Sequence, residues 1–249
     1  MSAPAASPVV SPFSGQALLV SGDLEAIRQI TGALQRFALS LQVCHDLESA
    51  AHSLSTRKFH AVIVDLAFEQ RLSKLLALMR STPSNQNAVT FAIVDSRTRS
   101  EFQIAPNFVM QKPLASALVA STLKAALGSI IRNYRRYFRY PIKVPASITA
   151  AGSLTASCEL MNISEGGLAL NLCPGLELGV RVVARFQLPD MADEFNVEAI
   201  VSWSDGKCRA GLQFSELPID ERTQLQTWLS KKIEDSFPAS LMRLYQKKQ

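Results

Sequence analysis

The chain has 249 residues, a formal net charge of +5 and a pI near 9.1, with 47% hydrophobic and 19% charged residues. That length suits two domains of ordinary size, and the composition is that of a folded chain rather than a disordered one. No apolar run approaches the roughly 18–20 residues that span a bilayer, so no membrane insertion is expected.

The opening stretch, MSAPAASPVVSPFSG, is rich in Ala, Ser and Pro and lacks the charged start and continuous apolar core of a secretory signal. Residues 1–14 therefore read as a flexible tail, and the expected location is cytoplasmic. From residue 15 to 130 short apolar runs alternate with helical patterns. ALLVSGD (17–23) ends at a turn, and LEAIRQITGALQRFA (24–38) repeats apolar residues at helix spacing. LQVCH is a second run, followed by the helical ESAAHSLS. AVIVDL (61–66) reads as a buried strand, and RLSKLLALMRS (71–81) as a helix. TFAIVD (90–95) and NFVMQKP (107–113) supply two more strands, and a last helix begins near Leu114 and runs toward Ile131. Strands without polar alternation, separated by helices, indicate a five-stranded parallel sheet covered on both faces, a doubly wound α/β domain.

Residues 131–140 form an Arg-rich junction. RRYFRYP (135–141) threads three arginines with aromatics and stops at a proline, and no acid falls between Arg132 and Lys143. A solvated linker, a helix end and a nucleic-acid patch are bland readings of such a run. One compact cluster suits a small polyanion better than it suits nucleic acid, which calls for a broad basic surface. Arginine offers a planar donor fork that grips phosphate or the guanine O6/N7 edge and a face that stacks on a base. Arg135 and Arg139, four apart, can address two acceptors on one ligand, while Pro141 turns the chain into extended geometry.

The second half changes period. KVPASITAAG, LTASCELMNIS, GLALNLC, VRVVARFQLPD, NVEAIVSWSDG and CRAGLQF are short, roughly alternating segments punctuated by turn residues. They indicate a six-stranded antiparallel barrel over 141–217. PIDERTQLQTWLSKKIEDSF then carries Leu225, Trp228 and Leu229 at helical spacing, so a C-terminal helix is expected within 218–249. In NISEGG (162–167), Asn162 and Ser164 share one face of a strand, and the glycines allow close backbone approach. The same residues would also make a plain hairpin turn.

Taken together, Arg135-x-x-x-Arg139 and Asn162-x-Ser164-x-x-Gly167 resemble the paired RxxxR and [D/N]xSxxG motifs of PilZ domains, with Trp203 and AGLQF (210–214) adding to the likeness over about 132–237. The resemblance implies a barrel that binds cyclic di-GMP. The arginines, Arg136 included as an extra cation of open role, would engage phosphates and guanine edges, and Asn162, Ser164 and Gly167 would meet guanine. It implies a signalling adaptor without catalytic residues, cofactor or nucleic-acid partner, in which ordering of the arginines reorients the two domains. The alternative is a PilZ/receiver scaffold that has lost nucleotide binding.

Residues 15–130 resemble response-regulator receiver domains. Asp65 falls at the phosphoacceptor position and Lys112-Pro113 at the Lys-Pro pair, but the acidic pair that would hold Mg²⁺ is Ser21-Gly22, with Asp23 one place late. Asp65 and Lys112 therefore read as a vestigial phosphoacceptor site, and the domain as a docking surface for a protein partner, with a homodimer left open. No metal site is expected. The four cysteines, Cys44, Cys158, Cys173 and Cys208, show no CxxC pair and read as free thiols. His45, His52 and His60 read as surface or rim residues.

Overall fold

The computed structural model describes residues 15–65, 69–95, 105–150, 155–172, 175–239, 241 and 243. The tail expected over 1–14 and Cys173 lie outside that set. The chain divides into two compact units, one built on Pro12–Arg135 and the other on Arg136–Ser236.

In the first unit, β1 (Gly15–Val20), β2 (Leu39–Cys44), β3 (Ala61–Asp65), β4 (Val89–Val94) and β5 (Phe108–Gln111) pair in parallel in the order β2-β1-β3-β4-β5. This is the doubly wound order in which the chain direction across the sheet switches beside β1 and β3. Every residue of β3 is buried, which explains why AVIVD shows no polar alternation: both faces are covered. Helices α1 (Leu24–Gln35), α2 (Leu47–Thr56) and α3 (Glu69–Ser81) connect the strands. Asp23 caps α1 by accepting from the backbone N–H of Glu25 and Ala26, and Asp46 caps α2 by accepting from that of Ser49.

His60, just ahead of β3, departs from its expected surface position. It is buried, its Nδ1 accepts from the Gln16 N–H at 2.9 Å, and its ring lies 5.2 Å from that of Tyr134. Burial first, and the charge of Lys58 second, depress its pKa from 6.5 to about 4.

Helix α4 (Ser116–Tyr137) runs through the arginines and does not stop near Ile131. The apolar rhythm ends there, but nothing in NYRRY breaks a helix. Asn133 is buried and donates to the Asn87 carbonyl, and the Tyr134 ring lies tilted against that of His60, so the extra turns are held by packing. Only Phe138 and Arg139 separate α4 from the next strand. Arg135 and Arg136 are thus helical residues rather than parts of a mobile linker.

The second unit is a closed barrel of β6 (Tyr140–Ala150), β7 (Ala156–Ser164), β8 (Gly167–Asn171), β9 (Arg181–Gln187), β10 (Glu194–Ser204) and β11 (Arg209–Glu216), in the order β10-β11-β8-β7-β6-β9. All its ladders are antiparallel, and closure leaves no unpaired sheet edge. Ile163, Leu170, Ala184, Phe186, Phe195 and Val197 fill the interior. Helix α5 (Ile219–Asp235) packs Leu225, Trp228 and Leu229 into the same core. The Trp228 indole donates to the Pro189 carbonyl and meets the Tyr140 ring edge-on at 5.1 Å.

Cys44 and Cys158 are free thiols, as expected, but Cys208 is disulfide-bonded, which corrects its reading as a free thiol. Residue spacing along the chain carries no sign of which thiols the fold brings together.

Candidate functional site

The barrel carries a cleft of about 510 Å³ on its outer surface. Strand alternation builds it. Tyr140 and Ile163 are cross-strand partners, and both point into the core. Their neighbours Arg139, Asn162 and Ser164 accordingly fall on the opposite, outward side of β6 and β7, and all three line the cleft. Arg136 and Tyr137, from the end of α4, line it too.

Small residues make the floor, including Gly167, Ala169 and Gly211 from β8 and β11. At Gly167 a Cβ would stand 2.2 Å from the Leu212 carbonyl oxygen, so any side chain would push β8 away from β11. At Gly211 a Cβ would sit 1.8 Å from Trp203 Nε1. The indole therefore covers the glycine across the β10–β11 ladder, with Trp203 and Gly211 as direct partners. Trp203 still keeps 45% of its surface exposed and forms one wall. Gly166 has neither a positive φ nor a neighbour within 4 Å of a Cβ, so only Gly167 is required by close approach.

The polar groups differ in how occupied they are. Ser164 is nearly buried, and its hydroxyl donates to the Gly167 carbonyl at 2.9 Å, closing the two-residue turn between β7 and β8. With its proton so placed, the hydroxyl can serve the cleft only as an acceptor. Arg136 and Arg139 are exposed, and among the described residues no carboxylate or hydrogen-bond acceptor engages either of them. Of the anticipated residues, the cleft gathers Arg136, Arg139, Asn162, Ser164 and Gly167. Arg135 is half-buried on α4 and is not among the lining residues. Tyr137, Ser202, Gly211 and Gln213 join the lining without having been singled out. The Trp203–Gly211 pair depends on register between two strands, which no local motif encodes.

In the first unit, Asp65 and Lys112 do meet, at the carboxyl ends of β3 and β5. Lys112 Nζ lies 2.8 Å from Asp65 Oδ2 and also 2.8 Å from Asp23 Oδ2. The Ser21 hydroxyl donates to the same Asp65 oxygen at 2.9 Å and accepts from the Asp23 N–H. Burial opposes the Lys112 charge, but hydrogen bonds to Asp23 and Asp65 outweigh it and raise its pKa. Lys112, followed by the helix-cap bonds, lowers that of Asp23. A groove of about 400 Å³ beside this cluster is lined by Asp23, Asp95 and Lys112 among others.

These residues do not fit the Mg²⁺ of a receiver site. That cation takes oxygen ligands in near-octahedral array, and here an ammonium stands between the two carboxylates while a hydroxyl replaces an acid at residue 21. Among the described residues no group of three or more His, Cys, Asp or Glu is arranged to hold a metal ion.

The second unit is thus a closed six-stranded barrel that carries a cationic, aromatic-walled cleft. The PilZ domain family model matches residues 133–231, and that part of the chain is a PilZ domain. Among solved structures the chain is similar to the PilZ domain with c-di-GMP of YcgR from Escherichia coli (18% identity, 41% of this chain and 95% of that chain, TM-score 0.33). It is also similar to the inhibitor of motility MotI/DgrA from Bacillus subtilis (22% identity, 39% of this chain, TM-score 0.35), of which it spans only 50%. A further similarity is to the receiver domain of the sensor histidine kinase PA1611 from Pseudomonas aeruginosa, solved with magnesium in its active-site cleft (17% identity, 47% and 99% of the two chains, TM-score 0.40). Among curated proteins no relative matches. No helix among the described residues is long and apolar enough to cross a membrane.

Proposed function

We propose that this chain is a receptor for cyclic di-GMP, bound in the barrel cleft, and that it signals by binding rather than by catalysis. One observation carries the reading: two arginines that meet no protein partner among the described residues share a cleft with an outward amide and a half-exposed indole. Each part suits a part of a guanine-bearing dianion. Arg136 and Arg139 supply charge-assisted forks for the two phosphates or a guanine O6/N7 edge. The Trp203 face and the floor of small residues accept a flat base. The Asn162 amide can donate to O6 or N7 and accept from N1–H or N2–H₂. Ser164, whose proton is held by Gly167, can only accept, which again favours guanine's donors. Gly167 serves by leaving room. The PilZ match, and the E. coli PilZ domain solved with this nucleotide, support the same assignment.

Arg135 joins the phosphates when the ligand orders the two-residue connector Phe138–Arg139, and that event alters the arrangement of the two domains. The receiver-like unit passes the change to a protein partner. Small-angle scattering with and without nucleotide reads this step, and an unchanged profile on saturation rejects it.

Calorimetric titration of the full chain with cyclic di-GMP, cyclic di-AMP and GTP tests the binding itself. Uptake of the first alone is expected. Equal affinity for all three, or none for any, rejects the assignment, and the second outcome favours a scaffold that has lost its ligand.

A further inference from the structure

The Asp23–Lys112–Asp65 cluster stands at the switch point of the doubly wound sheet, where such folds place their ligand sites. Its atoms are already engaged. Asp23 Oδ1 accepts two backbone N–H groups at the start of α1, at 2.9 and 3.2 Å, and its Oδ2 takes the Lys112 ammonium. Asp65 Oδ2 receives both the same ammonium and the Ser21 hydroxyl. The Ser21 oxygen in turn accepts the Asp23 N–H. Asp65 is almost wholly buried, and Lys112 shows 24% of its side-chain surface.

We propose that Lys112 is the resident counter-ion of this site. It performs the charge neutralisation that a divalent cation would otherwise perform, and it fixes the receiver-like unit in one state, indifferent to divalent metal and to small-molecule phosphodonors. Three features carry this. A metal bridging Asp23 and Asp65 would have to displace an ammonium that contacts both, and it would find one Asp23 oxygen tied to the helix cap. Ser21 contributes a neutral hydroxyl, so a cation competing with the ammonium would find two anionic side chains and no third acid to favour it. Attack of an Asp65 oxygen on a phosphodonor would bring more negative charge to a groove that Asp23 and Asp95 already line. The cluster also ties the ends of β1, β3 and β5 together, so the ion pairs act as a structural clasp. This inference does not depend on which ligand binds at the barrel.

The test uses the full chain. Mn²⁺ titration followed by electron paramagnetic resonance is expected to show no bound metal, and intact-mass analysis after Mg²⁺ and acetyl phosphate is expected to show no added phosphoryl group. Stoichiometric Mn²⁺ binding or phosphoryl transfer to Asp65 overturns the proposal. Lys112→Met keeps the stem and removes the charge, so the variant is expected to melt several degrees below the parent and to regain stability on adding Mg²⁺ or Mn²⁺. If it melts with the parent and ignores metal, Lys112 is not neutralising the carboxylates. Should Lys112→Met fail to fold, Lys112→Arg decides. An arginine that restores folding supports the charge role, and one that fails equally contradicts it.

Discussion

Two cationic sites of this chain face opposite fates. On the barrel, Arg136 and Arg139 stand at an open cleft, and among the described residues no anion lies against them. In the first unit, Lys112 is held between Asp23 and Asp65, each at 2.8 Å, with Ser21 completing the ring. Both contain cationic side chains near small polar groups, and both fall where their folds could place a site. What separates them is whether the protein has already supplied the opposite charge. A binding site keeps donors unsatisfied for an incoming ligand, whereas a satisfied ring of charges works as structure. The contrast shows why a motif residue in its expected position says little until its partners are known.

The two units should also differ in acid. His60 is depressed to about 4 in the folded state. A depressed histidine contributes full stability above its unfolded value near 6.5 and loses it as pH falls from there toward 4, because the unfolded chain takes up the proton first. That loss is about 3 kcal/mol for the first unit. Asp23, also lowered, adds a further loss at lower pH, beneath the ordinary carboxylate value. On the barrel, Asp205 keeps its charge to lower pH. Asp205 accepts from the backbone of Lys207 and Arg209, which holds it at about 2. Acid unfolding followed by hydrogen exchange is expected to open the first unit before the barrel, and His60→Gln, which keeps an acceptor for Gln16, is expected to flatten the limb between pH 6.5 and 4. Simultaneous opening of both units would erase this distinction.

The next largest effect lies at the open cluster. Arg139→Ala removes charge-assisted hydrogen bonds worth about 1.5–3 kcal/mol, so calorimetry should show cyclic di-GMP affinity falling on the order of 10–100-fold, with no change in the melting of the free protein. An equal loss of stability would place Arg139 among the structural charges, beside Lys112. A smaller effect is expected at the aromatic wall. Gly211→Ala drives a methyl into Trp203 Nε1 and should cost about 1–3 kcal/mol of barrel stability while displacing the indole. Trp203→Ala removes the wall without that clash. If both variants weaken ligand uptake but only Gly211→Ala lowers Tm, the wall's two roles are separated.

Much of this was legible in the chain. AVIVD, wholly apolar up to its final acid, gave the both-faces-buried strand that the structure shows, and the change to alternating segments after residue 141 gave the barrel. Asn162, Ser164 and Gly167 were readable because strand alternation and the need for glycine are local. The end of α4 was not, since the apolar rhythm stops at Ile131 while tertiary contacts of Asn133 and Tyr134 carry the helix on. Nor was the pairing of Trp203 with Gly211, which register alone decides. Asp23 looked one place late for a metal ligand. Its real position, capping α1 while reaching Lys112, follows from three elements converging at the carboxyl end of the sheet.

Hydrogen–deuterium exchange of the full chain with and without saturating cyclic di-GMP tests the contrast most directly. Added protection is expected at 136–140, 162–168 and 203–213, with none at 19–24, 62–65 or 110–114 beyond any change transmitted through α4. No protection at the cleft, or protection centred on Asp23, Asp65 and Lys112, would contradict the account.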